Sequence, residues 1–318
     1  VLIADAPVGV THINNDQHPA GFWASNVIRF LGENRDKPFF IYCSFDGPRP
    51  PLTPSRPWAE LHDPNTLALP PDFDYQSDDP PPSVRHLRKS LSGMSREDHR
   101  RCLAYYYGLI RQIDYNIGRI LEELRRLDLA DDTVVIYTSY QGEMAGSRRC
   151  WTNPVAGYDS IIRVPLIIRL PGMVHPGMDR HQLVGLIDLM PTLCELAGVR
   201  VPEKVQGLSL VPLIFERPGE WREVVFTETG CAGRPGGICR TVRNADHKYV
   251  QYKNSSNEEI FEELFDLRED PRETINQIND PYYTDVVARL KGEIEWWEIN
   301  TDHAPMYPVG ENKPPVRP

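Results

Sequence analysis

The chain has 318 residues, 40% of them hydrophobic and 25% charged, enough apolar material for one large core or a core with a smaller attached domain, which excludes disorder throughout. A formal net charge of -10 excludes a nucleic-acid backbone or an anionic membrane as a general partner, because both attract basic surfaces. No run of eighteen apolar residues is present to span a bilayer, and no charged-then-apolar export signal follows Val1.

Trp23, Val27, Phe30 and Leu31 recur at helical spacing, and the predicted helix ends near Gly32. Phe39 to Cys43 is a short, nearly all-apolar run, which predicts a strand covered on both faces. A loop with Asp46-Gly47-Pro48-Arg49-Pro50 leaves its end, and proline-rich irregular chain continues to about Gly93. Ser95 with Asp98 offers a capping box for a long helix, whose apolar face carries Tyr106, Ile110, Ile113, Ile117, Leu121 and Leu124 and which runs to about Leu127.

Thr133 to Thr138 is a second predicted strand, and Val164 to Leu170 a third. Leu189 to Ala197 reads as a short helix stopped by Gly198. Strand, helix and strand in this order predict a wound α/β sheet, with any site in the loops beyond the strand ends. After Pro212 the pattern changes to short strands at Val224 to Glu228, Ile238 to Arg243 and Lys248 to Tyr252, read as a small antiparallel sheet. A last amphipathic helix spans about Asp285 to Trp297, and a proline-containing tail follows. The expected division is therefore an α/β core over 1–217 and an antiparallel sheet with helix and tail over 218–318.

Six cysteines (Cys43, Cys102, Cys150, Cys194, Cys231 and Cys239) are scattered without metal spacing and read as separate thiols, although Cys231 and Cys239 are close enough in sequence to bridge a loop. The nine histidines include no His-x-x-x-His pair for zinc.

Several segments follow one another in a familiar order. Tyr105-Tyr106-Tyr107 precedes Asp114-Tyr115-Asn116-Ile117-Gly118-Arg119-Ile120-Leu121, then come Thr138-Ser139-Tyr140-Gln141-Gly142-Glu143, Trp151-Thr152-Asn153 and Arg163-Val164-Pro165-Leu166. Asp188-Leu189-Met190-Pro191, Gln206-Gly207-Leu208-Ser209-Leu210 and Glu263-Leu264-Phe265-Asp266-Leu267 complete the set. In this the chain resembles the C-terminal part of the sulfatase family. The resemblance implies a wound mixed sheet of the alkaline-phosphatase/sulfatase type with a smaller C-terminal antiparallel α+β subdomain.

It also implies a chemistry. Sulfatases use a formylglycine nucleophile, made from Cys or Ser in a Cys/Ser-x-Pro/Ala-x-Arg motif, and a divalent cation, usually calcium, held by carboxylates and an amide. Lysine and histidine neutralise the sulfate and protonate the leaving oxygen. This chain departs from that pattern at each position it covers. The metal-ligand aspartate is Tyr140, next to Gln141, whose amide oxygen could still coordinate; the two are either a remodelled ligand floor or drifted loop residues. The lysine following Trp151 is replaced by Asn153, and the histidine beside the proline run by Arg49, cationic but unable to exchange protons.

Asp46 stands where many members carry the loop's other histidine. Arg49 is a candidate anion clamp or a surface ion-pair partner, and Arg148 of the same loop as Gln141 is a second candidate for substrate binding. Leu52-Thr53-Pro54-Ser55-Arg56 ends like the nucleophile signature, but leucine occupies the reactive position.

Three readings result. The chain is part of a hydrolase of small-molecule or glycan sulfate esters, inactive as given because the nucleophile motif is missing and the metal, lysine and histidine positions are substituted; or a non-catalytic pseudoenzyme that serves as a binding or scaffolding module; or a phosphate or phosphonate monoesterase of the same superfold. Periplasmic or secreted location is compatible with the resemblance.

Overall fold

The computed structural model describes residues 2, 3, 6–75, 77, 79–216, 219–230, 237–254 and 258–302. The chain divides into two compact units, one formed by Val1–Pro154 with Asp159–Met173 and the other by Val155–Tyr158 with Val174–Pro318. The architecture is mixed α/β with a separate antiparallel sheet, as the fold class requires.

In the first unit, β1 (Leu2–Ile3) and β2 (Ala6–Pro7) form a small antiparallel pair. The chain then runs beside the proline loop through parallel bridges Val8↔Leu52 and Thr11↔Ser55. Helix α1 (Pro19–Glu33) starts at His18, whose Nδ1 accepts the Ala20 N–H at 3.3 Å. Its buried stripe is Ala20, Gly21, Ala24 and Leu31. Trp23 and Phe30, predicted to face inward, are exposed instead. The small residues allow close approach: a Cβ on Gly21 would lie 1.9 Å from the Asn15 carbonyl oxygen.

Phe39 to Cys43 forms no strand, contrary to the sequence expectation. A run apolar on both faces becomes a strand only when neighbours supply its hydrogen bonds, and among the described residues none does so. The stretch read as irregular also contains a helix, α2 (Pro82–Ser90), with proline in its first turn where no N–H is needed.

Helix α3 (Arg96–Arg126) carries the predicted capping box, with the Ser95 side chain accepting the Asp98 N–H and the Asp98 carboxylate accepting the Ser95 N–H. It brings Cys102, Leu103 and Leu109 into a core with Ile3, Leu52, Leu91 and Trp151. Strand β3 (Val135–Thr138) pairs antiparallel with β4 (Leu166–Arg169), with Tyr137 opposite Ile167. The one-turn helix α4 (Asp159–Ile162) lies between them in sequence.

The second unit contains α5 (Leu189–Leu196), stopped before Gly198 at φ 67, the short α6 (Val211–Ile214) and a four-stranded sheet. Strands β5 (Val225–Gly230), β6 (Ile238–Arg243), β7 (His247–Lys253) and β8 (Glu259–Asp266) follow one another in antiparallel order. β8 is a strand where the sequence had offered only a family landmark. Helix α7 (Thr284–Trp297) packs Leu290 and Ile294 onto Val242, Tyr249 and Leu264 of this sheet.

Cys43, Cys102, Cys150, Cys194 and Cys239 are free thiols, while Cys231 and the tail beyond residue 302 lie outside the described residues. Among the described residues no helix is long and apolar enough to cross a membrane.

Candidate functional site

Strand β3 delivers the chain into the loop that carries Tyr140, Gln141, Arg148 and Asn153. Its start is tied down by side chains: Thr138 Oγ1 donates to the Pro165 carbonyl at 2.9 Å, and Ser139 Oγ to the Gln141 carbonyl at 2.7 Å. The Gly142 N–H then bonds the Ile161 carbonyl at 2.7 Å. Only glycine fits there, because a Cβ would lie 2.0 Å from the Ser160 carbonyl oxygen.

Beyond Glu143 the loop closes on itself, with Met144 N–H to Thr152 O at 3.2 Å and Gly146 N–H to Cys150 O at 2.8 Å. Ala145, Gly146, Arg148, Arg149 and Thr152 all have left-handed backbone, with φ of 45, 94, 50, 57 and 67. Each non-glycine residue of this kind costs about 1–2 kcal/mol, so the surroundings must hold the loop in shape.

The proline-rich excursion does so. Asp72 accepts the Ser147 hydroxyl at 2.5 Å and faces the Arg148 guanidinium at 3.4 Å, while Asp74 pairs with Arg149 at 2.9 Å and with Arg96 at 2.7 Å. Arg96 and Arg149 also lie over the Phe73 ring, at 4.9 and 5.3 Å from its centroid. From the loop's far end, the fully buried Trp151 donates its indole N–H to His99 Nδ1 of α3 at 3.0 Å.

The structure places the sequence-predicted residues in three different settings. Gln141 and Asn153, twelve positions apart, meet: Asn153 Nδ2 donates to Gln141 Oε1 at 2.8 Å. Tyr140 projects into solvent beside them. Arg148 shares their loop, but its side chain is buried against Asp72 and lies 5.6 Å from the Tyr75 ring centroid. Arg49 belongs to the other loop and is held by its own neighbour, donating to the Asp46 carbonyl at 3.0 Å and facing its carboxylate at 3.5 Å.

One group of the loop was quoted in the motif but not singled out. Burial pushes the Glu143 carboxyl up to about 7, against the pull of the N–H groups of Ala145, Thr152 and Met144. The signal that could have found it is the tyrosine-rich face of α3, since Tyr106 lies close enough to feel its charge. The look-alike segment Leu52-Thr53-Pro54-Ser55-Arg56 has a different use. Leu52 is fully buried, its N–H bonds Pro7 O at 3.1 Å, and the Ser55 N–H bonds Gln112 Oε1 at 3.2 Å.

A calcium ion takes six to eight oxygen ligands, carboxylates foremost. Here the family's aspartate position offers a phenol, and the Gln141 oxygen already accepts from Asn153. These residues do not fit the cation. Among the described residues no three His, Cys, Asp or Glu side chains are grouped to hold a metal.

Two family profiles match the chain: "Sulfatase" over residues 11–199 and "N-sulphoglucosamine sulphohydrolase, C-terminal" over residues 150–300. An arylsulfatase of Clostridium perfringens is 28% identical over 93% of this chain and 63% of its own length. Human arylsulfatase K is 27% identical over 80% of this chain and 50% of its own length. Among solved structures, a phosphonate monoester hydrolase from Silicibacter pomeroyi superposes with a TM-score of 0.80 at 26% identity, over 90% of this chain and 61% of that one. The chain thus spans between half and two thirds of the length of each of these three relatives.

Proposed function

Because the chain belongs to the sulfatase family, we propose that its β3-end loop is one side of a sulfatase-type ester site, facing small-molecule or glycan sulfate esters, and that this chain alone does not turn them over. The single observation that carries the reading is the Asn153 to Gln141 hydrogen bond of 2.8 Å. In this family the two positions serve, respectively, as a fixed positive charge and a cation-binding oxygen. In this chain both are neutral amides, and Asn153 donates to Gln141. No fixed charge remains there to meet a sulfate oxygen, and electrostatic stabilisation of that oxygen is the largest contribution such a site makes.

Calcium and formylglycine belong to the family's chemistry, and no step is assigned to either. Tyr140 is a poor substitute for a carboxylate as a hard-cation ligand, and Leu52 holds the reactive position of the nucleophile-like segment Leu52-Thr53-Pro54-Ser55-Arg56. The glycan preference rests on the second family profile, whose name specifies a sulphoglucosamine.

Calorimetric titration with calcium, run beside an assay of a chromogenic aryl sulfate, tests the reading. We expect no saturable calcium binding tighter than about 1 mM and no turnover above the rate without protein. Tight calcium binding, or turnover that a chelator abolishes, would overturn it. The likeness to the phosphonate monoester hydrolase supports a second reading, so an aryl phosphonate monoester belongs in the same assay. Turnover of that substrate but not of the sulfate would select it.

A further inference from the structure

The proline-rich excursion, the start of α3 and the strand-end loop meet in a charged cluster that includes neither Gln141 nor Asn153. Arg96 and Arg149 both donate to Oδ1 of Asp74, at 2.8 and 2.9 Å. One carboxylate oxygen therefore bridges the two guanidinium groups. Both also lie over the ring of Phe73, which is almost fully buried beneath them.

Two like charges held this close repel each other, and a single carboxylate balances only one of them. The neighbouring acids are otherwise engaged: Asp72 is matched to Arg148, Glu97 faces Arg100 at 4.0 Å, and Asp98 caps α3 through Ser95. Among the described residues Asp74 is the one carboxylate against either guanidinium, which leaves the cluster a net positive charge. Its field reaches His99, where the charges of Arg149 and Arg96 add to burial in holding the proton off. This is a local exception in a chain whose net charge is -10.

The cluster is both strained and open. Arg149 keeps a left-handed backbone at φ 57, beside Arg148 at φ 50, and such conformations gather where a side chain is held for use. The Arg96 and Arg149 side chains are nonetheless 48% and 46% exposed, so a solute can reach them. Arg96 spends Nη1 on Asp74 and Arg149 spends Nη2. Among the described residues, the Nε and the other terminal nitrogen of each donate to nothing.

We propose that Arg96 and Arg149, stacked on Phe73 and bridged by Asp74, form a binding subsite for a tetrahedral oxyanion, the sulfate or phosphate group of a monoester. A carboxylate offers two oxygens, and the cluster already holds one such group. A tetrahedral ester group offers three, enough to accept from both guanidinium forks at once, and its charge meets the local excess. The proposal concerns binding alone and does not rest on the ester-site reading of the β3-end loop.

The 318-residue chain is titrated with inorganic sulfate and with inorganic phosphate at low ionic strength, read by the arginine Nε–Hε resonances in heteronuclear NMR spectra. The Arg96 and Arg149 resonances should shift saturably with a Kd on the order of 10 mM or below, and about fivefold less with chloride or acetate at matched ionic strength. The tetrahedral anion that binds more tightly identifies the ester. Arg96→Gln should weaken the binding read at Arg149 about tenfold. Arg85→Gln, in an exposed pair with Asp79, should change it by less than about twofold.

The Trp151 indole N–H resonance reports in the same spectra whether the loop is intact. Where Arg96→Gln moves it, Arg96→Lys, which keeps the charge but not the fork, should still weaken binding about threefold. Three results would overturn the proposal: shifts that never saturate, shifts matched by chloride or acetate, or binding at Arg149 unchanged in the Arg96 variants. Saturable anion binding without ester turnover leaves it standing, and turnover without anion binding here removes it alone, so its failure and that of the functional reading are separable.

Discussion

The imidazole of His99 is buried, with the Phe73 ring nearly perpendicular to it at 4.8 Å and its Nδ1 accepting the Trp151 indole N–H at 3.0 Å. Burial, and then the nearby Arg149 charge, lower its pKa to about 4. The unfolded chain therefore binds this proton from about pH 6.5 downward, while the folded chain does not until about pH 4. Stability is fully present above that window and falls on acidification, by at most about 1.4 kcal/mol per pH unit. His99→Gln keeps an acceptor for Trp151 without titrating in this range. Urea midpoints measured from pH 4.5 to 7.5 should show a shallower acid slope in the variant, and equal slopes would refute the assignment.

At the same scale, the identities of Tyr140, Gln141, Asn153 and Arg49 were legible as departures from a family pattern. Where their polar atoms point was not. Whether Arg148 meets a ligand or an internal partner depends on Asp72, 76 positions away on a segment with no periodic signal.

Among the elements, the extent of α3 was the easiest to read, since its Ser95–Asp98 box and helical spacing are local properties of 31 consecutive residues; its inner face was read less well, because Ile110 is exposed while Cys102, Leu103 and Leu109 are buried. The strand-end loop was the hardest, because its left-handed backbone depends on contacts supplied from elsewhere. Two glycines give a paired prediction. Gly142→Ala would drive a methyl group into the Ser160 carbonyl and should cost about 3 kcal/mol through overpacking, with loss of the Gly142 amide's protection from exchange. Gly118→Ala, in an exposed stretch of α3 with open space around it, should raise stability by about 0.5–1 kcal/mol. Thermal melts of the two variants, shifting in opposite directions, check both.

At the scale of the whole molecule, the family landmarks mostly join distant segments within each unit. The fully buried Asp188 carboxylate accepts the N–H groups of Gly185 and Leu208 at 2.8 Å and pairs with Arg222 at 2.7 Å, while Thr192 Oγ1 accepts the Leu210 N–H at 2.7 Å. Gly207 is glycine because a Cβ would lie 2.0 Å from the Ile187 carbonyl oxygen. Asp188→Ala strands the half-buried Arg222 guanidinium and two N–H groups, and should destabilise the second unit by about 3 kcal/mol. Segment-resolved hydrogen exchange should register the loss across 185–222 with α3 unchanged; unaltered exchange in 185–222 would show that the carboxylate does not join these segments.

By itself the sequence determined the long helices, three of the four strands of the antiparallel sheet, the family and the positions at which the family's chemistry is altered, because periodicity, caps and motif order are written along the chain. Only the tertiary structure decided that Phe39 to Cys43 stays unpaired, that α1 turns its aromatic residues outward, and that Asn153 donates to Gln141. Strand pairing, burial and hydrogen-bond partners are set by what lies adjacent in space, and neighbours in space are not neighbours along the chain.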